Sequence, residues 1–473
     1  MNQPLPSLNA WSELDVRDRI ARICKLRHLL ADNPQPFVDA IQAPFRRSPV
    51  ETLGSEIIPL ADACKFLEQN AVRLLRPKHL GLRGRPLWLW GVRSQIHRQP
   101  LGRILIIAPG NYPLMLAGIQ TIQALVAGNG VLLKPAPGAG PVLSLLAQTL
   151  HSCGVPDAAL IILDESPEAA KPYYEQVDKV ILTGSTTSGR AVANDLAQYV
   201  KPAVMELSGC DAAIVLPGAD IKLAASCVRF GLWFNGSNSC IAPRRLLVHA
   251  SAADALVAEL VTLLKAVPPL SISPALASRI AEIGNEAIAD GAQLVSGEMP
   301  RHQSTSPLLF DHAKPCMRLQ REDIGAPVAS IVRVNTVADI HAASQLCPFR
   351  LGASIFGPVD RAQRLARHLN VGTIVINDLM APTADPRLPF GGGGASGFGS
   401  TRGAEGLLEM TRPKTIQISR GSPRFHLQME NPSTADLVRG QLRMSHAAGW
   451  MRRLAGLKQL GFSARASRRG SHS

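Results

Sequence analysis

From residue 101 onward, short apolar runs alternate with helical segments, and this alternation restricts the chain to an α/β architecture. Ile104 to Ile107, Val131 to Leu133, Ala159 to Leu163 and Val180 to Leu182 read as short buried strands. Between the first two, Leu114 to Val126 reads as a helix, which Gly128-Asn129-Gly130 ends. The unit repeats, which predicts a doubly wound, mostly parallel sheet. Ala212 to Leu216 and Arg245 to His249 begin a second α/β region after Gly209. Residues 9–80 read as α-rich: Leu60, Ala61, Cys64, Leu67, Ala71 and Leu74 keep the spacing of one helix face. A Pro/Gly-rich segment at 77–86 follows, and residues 87–98 read as a hairpin.

A chain of 473 residues exceeds one simple core and implies two or three domains. Aromatics are only 4%, so Leu, Ile, Val and Ala must fill the interior. No uncharged apolar run reaches the ~18 residues of a membrane span. The start, Met1-Asn2-Gln3-Pro4-Leu5-Pro6, has neither the basic nor the apolar region of a signal peptide. None of the eight cysteines forms a C-x-x-C pair, so neither a metal site nor a disulfide framework is expected, and a cytoplasmic location is. The net charge of +14 is unevenly spread: residues 421–473 carry nine Lys or Arg against Glu430 and Asp436, a net of +7. The rest is only mildly basic, and no nucleic-acid-binding motif accompanies the charge.

Three side chains suited to covalent carbonyl chemistry stand in distinctive contexts. Asn111 lies in Pro109-Gly110-Asn111-Tyr112-Pro113, just past a strand, where a turn alone would also explain it. Glu206 follows the strand-like Ala203-Val204 and leads into Gly209; apolar neighbours would raise its pKa towards that of a general base. Cys240 ends Phe234-Asn235-Gly236-Ser237-Asn238-Ser239-Cys240 and precedes Ile241-Ala242-Pro243-Arg244-Arg245. The other seven cysteines read as small buried hydrophobes. Thr183-Gly184-Ser185-Thr186-Thr187-Ser188-Gly189 links a strand to a helix from about Arg190, a place where free amides face a phosphate, although an ordinary turn would look the same. Lys134 ends another strand, where open α/β sheets bind ligands and where solvated lysines also occur. Leu388-Pro389-Phe390-Gly391-Gly392 and Ser396-Gly397-Phe398-Gly399 complete the set, with Asn377 upstream.

In order and spacing, these patterns resemble the aldehyde dehydrogenase superfamily from about residue 95 to about residue 418. The resemblance implies a Rossmann-type cofactor domain over 1–208, with a bridging hairpin at about 83–101, and an α/β catalytic domain over 209–397. It further implies a return and oligomerisation strand at 398–420, followed by a basic extension at 421–473. It makes Cys240 the nucleophile, Glu206 the base that activates water, and Asn111 a donor to the oxyanion. NAD or NADP would rest on Gly184, Ser185, Thr186 and Gly189, with Lys134 on the adenosine ribose and Asp323 near the nicotinamide ribose. Tyr112, Leu114, Met115, Trp233, Phe234 and Phe390 would line a tunnel for a small-molecule aldehyde.

Several positions depart from the family pattern. Pro137 stands where a ribose-binding glutamate is usual, Asp323 where a glutamate is, and Gly325 and Gly110 where aromatics are. The expected reaction is oxidation of the aldehyde through a cysteine thioester that water hydrolyses. The alternatives are a CoA-acylating enzyme, which the presence of Glu206 disfavours, and a non-catalytic member of the fold. A homodimer or larger is expected. Leu437, Val438, Leu442, Trp450, Met451, Leu454 and Leu457 recur at helical spacing among arginines, which suggests weak membrane-surface contact or, on the plainer reading, a docked or solvated tail.

Overall fold

The computed structural model describes residues 5–41, 47–89, 91–300, 303–420, 427 and 432–470. The first four residues, Trp90 of the expected hairpin, and 421–426, 428–431 and 471–473 of the basic tail lie outside the described residues. The chain divides into two compact units: Met1–Arg76 with Arg98–Arg412, and Pro77–His97 with Pro413–Ser473.

In the first unit, the Asp15 carboxylate caps the helix Val16–Asp32 by accepting the Arg17 amide at 2.8 Å. This helix buries Ile20, Ile23, Leu26 and Leu30, and the helix Ile58–Leu75 buries Leu60, Ala63, Cys64, Leu67 and Ala71. Both faces pack into one core with the helix Met115–Val126, every residue of which is buried. A helix covered all round needs no polar face, which explains its almost unbroken apolar sequence. Each fully buried leucine here contributes ~1.5–3 kcal/mol of transfer free energy.

That core covers a six-stranded sheet in the order Gly397–Phe398, Ala203–Glu206, Lys179–Thr183, Arg103–Ile107, Gly130–Lys134 and Leu160–Ile162. All neighbours are parallel except the first pair, in which Gly397 faces Glu206. A seven-stranded sheet follows, in the order Gln293–Ser296, Leu308–Asp311, Val328–Val334, Pro243–His249, Asp211–Val215, Gly352–Phe356 and Thr373–Ile376. Only the Gln293–Ser296 edge is antiparallel. The expected parallel architecture is therefore present as two separate sheets.

Two local expectations need correction. The helix after Thr183 spans Thr186–Ala197, about four residues earlier than expected, because Ser185 caps it: the Ser188 amide donates to Ser185 Oγ at 3.0 Å. Residues 87–98 do not form a hairpin by themselves. Leu87–Leu89 is a 3-10 turn, and the single strand Val92–Pro100 pairs antiparallel with Lys78–Leu80 in the Pro/Gly-rich segment. A three-residue strand is too short to show a period of two, so its sequence carried no signal.

In the second unit, Val92–Pro100 is the central strand of a three-stranded sheet, between Lys78–Leu80 and Thr411–Ser419. The last eight residues of Thr411–Ser419 are exposed, and the strand lies at the sheet's edge. The tail forms two helices, Pro432–His446 and Trp450–Gly470, packed on each other. Among the described residues, no helix is long and apolar enough to cross a membrane.

Candidate active site

Asn111, Glu206 and Cys240 come from three separate stretches of the chain, and all three line one cavity of about 790 Å³. Tyr112, Met115, Trp233, Phe234 and Phe390 form its apolar wall, and Gly184, Ser185 and Asp323 also reach it. Four residues singled out in the sequence lie elsewhere. Leu114 is fully buried beneath the wall and Lys134 sits at the end of its strand. Thr186 donates its hydroxyl to the Ala395 carbonyl at 2.8 Å. Gly189 is buried in its helix, where a Cβ would stand 2.5 Å from Leu207 Cδ2 and would have to displace that side chain.

Asn111 is held through its backbone, which leaves the side chain facing the site. Its carbonyl accepts from Asn235 Nδ2 at 2.9 Å and from Arg47 Nη2. Arg47 also donates to Asn235 Oδ1 at 2.6 Å and to Glu56 Oε1 at 2.8 Å. Glu56 is wholly buried, and its second oxygen accepts the amides of Leu114 at 3.1 Å and Met115 at 2.7 Å. Burial pushes the Glu56 carboxyl up, and the Arg47 guanidinium opposes that shift. The Asn111 amide donates to the Asn238 carbonyl at 3.0 Å, which brings it beside the peptide leading to Cys240.

The approach to Cys240 is strained. Asn235, Gly236 and Ser237 all have left-handed φ, at 52°, 57° and 58°. Left-handed backbone costs a non-glycine residue ~1–2 kcal/mol. Hydrogen bonds hold it: the Asn235 amide donates to Glu51 Oε1 at 2.6 Å, and Arg244 binds the Ser237 hydroxyl at 2.7 Å. Behind the turn, a Cβ at Gly209 would lie 2.0 Å from the Cys240 carbonyl oxygen, so only glycine fits there. Cys240 is half-buried. Burial pushes its thiol up to about 12, and the Glu206 carboxylate adds to the shift.

Glu206 ends the strand Ala203–Glu206 and is 4% exposed. Its carboxylate accepts the Thr401 hydroxyl and, more weakly at 3.5 Å, the Thr183 hydroxyl. Burial raises its pKa, against the opposing charge of Arg402. Arg402 also lines the cavity, lies 4.5 Å over the Phe390 ring, and donates to the Thr383 carbonyl at 3.0 Å. Together these residues bring to one cavity a thiol, a carboxyl with raised pKa that can take a proton, and an amide donor. That combination suits covalent attack on a carbonyl followed by hydrolysis.

The cofactor-side geometry fits a dinucleotide. Thr183, Gly184 and Ser185 line the cavity where a strand passes into a capped helix, and the first amides of a helix lack intrahelical partners. Lys134 is buried at 6% exposure, which lowers its pKa, and the carboxylates of Glu165 and Asp164 act on it electrostatically. Glu165 accepts the amides of Gly138 at 2.7 Å and Gly140 at 2.5 Å, which brings a carboxylate from another connection beside the Pro137 turn. Asp323 lies 3.7 Å from Arg244 Nε.

Sequence reasoning missed Arg47, Glu56, Glu165, Thr401 and Arg402. Thr401 and Arg402 follow the Ser396-Gly397-Phe398-Gly399 motif directly, but spacing carries no information on side-chain direction. The others are recruited across at least 25 residues.

The sequence profile of the aldehyde dehydrogenase family matches residues 5–416. A vanillin dehydrogenase of Pseudomonas fluorescens is 34% identical over 442 residues, covering 88% of this chain and 88% of its own. The structure of a Mycobacterium tuberculosis aldehyde dehydrogenase complexed with NAD+ superimposes with a TM-score of 0.79 at 25% identity, covering 87% of each chain. An NADP-dependent glyceraldehyde-3-phosphate dehydrogenase of Bacillus halodurans, complexed with NADP, gives a TM-score of 0.79 at 28% identity, covering 88% of this chain and 89% of its own. With its two parallel sheets and its cysteine–glutamate–asparagine cavity, the chain belongs to the aldehyde dehydrogenase family, oxidoreductases that use NAD or NADP.

Proposed function

We propose that Cys240 is the nucleophile, Glu206 the general base and Asn111 an oxyanion donor in oxidation of an apolar aldehyde to its acid. The convergence of the three on one apolar-walled cavity carries this reading. Cys240 Sγ bonds to the aldehyde carbon, and its proton passes to solvent water. The carbonyl electrons move onto oxygen, where the Asn111 amide and the Cys240 backbone N–H receive the charge; one such donor is worth ~3 kcal/mol in the transition state. When bound, the nicotinamide supplies the hydride acceptor. The thioester left on Cys240 is attacked by a water that Glu206 deprotonates, and the C–S bond breaks to release the acid. A panel of aromatic, aliphatic and carboxylated aldehydes, assayed with both cofactors, tests the substrate class. Fastest turnover of short charged aldehydes would overturn the apolar reading.

Gly184, Ser185 and Lys134 would hold the cofactor, with Asp323 at its nicotinamide end. Pro137 supplies no carboxylate against a 2′-phosphate, so NAD and NADP should differ by less than about tenfold in kcat/KM, ~1.4 kcal/mol. Pro137→Glu should shift the preference towards NAD. A strong native NAD preference that the variant leaves unchanged would show that Glu165 already sets the choice.

The chain is further proposed to be cytoplasmic and a homodimer or larger. Its exposed edge strand Thr411–Ser419 has unpaired backbone groups that a second subunit would satisfy. Sedimentation at micromolar concentration should show a mass at least twice 50.6 kDa. A persistent monomer at that concentration would count against it.

The two tail helices leave Val438, Leu442, Trp450, Met451, Leu454 and Leu457 exposed among Arg439, Arg443, Arg452, Arg453 and Lys458. This pattern supports weak attachment to anionic membrane surfaces. Vesicles containing phosphatidylserine should retain the full chain at low salt and not a chain ending at residue 420, with turnover kept. Full-length protein that ignores such vesicles would leave the tail without this role.

A further inference from the structure

A second cleft, of about 310 Å³, shares no lining residue with the catalytic cavity. It opens beside the first residues of the strands Asp211–Val215 and Gly352–Phe356. Its polar lining includes Arg245, Arg350, His341, His368, Ser344 and Asn370, and no aspartate or glutamate lines it. His341 and His368 face each other edge to face, with ring centroids 6.3 Å apart. Arg350 and His368 are exposed at the mouth, whereas Arg245 is 3% exposed.

Arg245 is the unusual member. Its guanidinium donates to the Cys210 carbonyl at 2.7 Å and, at the limit of 3.5 Å, to the Ala343 carbonyl. Among the described residues, it forms no ion pair within 4.0 Å. Asp211, Cys210 and Cys347 act on it electrostatically, and Asp211 already accepts the Gly352 amide at 3.1 Å. Burial pushes the Asp211 carboxyl up, whereas the contact with Cys210 and the Arg245 charge pull the Cys347 thiol down. A buried cation without a matched anion is costly, and buried charges are ordinarily paired. Here the cation lines a cleft that Arg350, His341 and His368 line as well.

We propose that this cleft binds a small multivalent oxyanion, a phosphate ester or a polycarboxylate, with Arg245 at its floor and Arg350 and His368 at its mouth. Its size admits a molecule of roughly ten non-hydrogen atoms at ~30 Å³ each. The planar guanidinium of arginine suits either chemistry through paired N–H···O bonds. The apolar catalytic cavity has no part in this recognition, so the inference stands independently of the roles proposed for Cys240 and Glu206.

The test uses the full chain with saturating NADP, so that the cofactor turn is occupied. Sodium pyrophosphate and sodium citrate are titrated separately by calorimetry and thermal shift, with sodium chloride at matched ionic strength as the reference. At least one of the two should bind saturably with Kd below ~1 mM. Whichever binds identifies the source chemistry. In Arg350→Ala/His368→Ala, affinity should fall tenfold or more, while aldehyde turnover without the anion stays at the parent value. Ser344→Glu, which adds a carboxylate to the cleft, should weaken binding likewise. A shift no larger than that with chloride overturns the proposal, as does saturable binding that both variants leave unchanged. Loss of turnover in every chain, with anion binding intact, would instead count against the catalytic reading.

Discussion

Replacing Cys240 by alanine should reduce aldehyde oxidation to below about one-thousandth of the parent rate, a rise of ~4 kcal/mol in the barrier. The fold should survive, because Cys240 is half-buried at the cavity and its exchange for alanine leaves the strained Asn235–Ser237 backbone unchanged. Cofactor binding, measured by quenching of protein fluorescence, should also persist. Substantial remaining turnover would remove Cys240 from the mechanism. A second readout probes the thiol directly. Burial pushes it up to about 12, so alkylation of the cofactor-free chain by iodoacetamide should keep rising between about pH 7 and 10 without a plateau. Arg402→Met removes a charge that favours the thiolate, and alkylation should slow at every pH. A plateau near neutral pH would mean that another group, absent from this account, holds the thiolate.

Glu206→Gln should separate the two halves of the reaction. Thioester hydrolysis needs a base to activate water, and loss of such a base typically costs ~10²–10⁴-fold. Hydride transfer should suffer less. Rapid mixing should therefore show a burst of reduced cofactor followed by slow turnover, with a thioester accumulating on the enzyme. Burial raises the Glu206 carboxyl, so the base form is lost as pH falls through that raised pKa. In the parent enzyme, the acidic limb of steady-state turnover should accordingly lie above the range of an ordinary carboxylate. Equal losses in burst and steady state would make Glu206 an activator of the Cys240 thiol instead.

Four strands of the six-stranded sheet and two of the seven-stranded one were legible in the sequence because their information is local. Ile104 to Ile107 and Val131 to Leu133 announce buried strands through unbroken apolar runs. Asn111, Glu206 and Cys240 were legible through the residues beside them, and the structure places all three on one cavity. Where the local signal was short or ambiguous, boundaries moved. Lys78–Leu80 has too few residues to show a period, and Ser185 rather than a glycine turn decides where the following helix starts.

What the sequence by itself determined, then, is the α/β order of elements and the three candidate side chains that share one cavity, since a few neighbouring residues single out each. Only the tertiary structure decided what surrounds them. Arg47 reaches the Asn111 carbonyl across 64 residues, Thr401 reaches Glu206 across 195, and Arg402 stacks on Phe390 beside the same carboxylate. The acidic pair near Lys134 and the buried contact of Arg245 with the Cys210 carbonyl arise in the same way. Charges and donors of this kind act over a few ångströms of space, and that proximity is set by how the connections cross between packed layers. No periodicity along the chain records it.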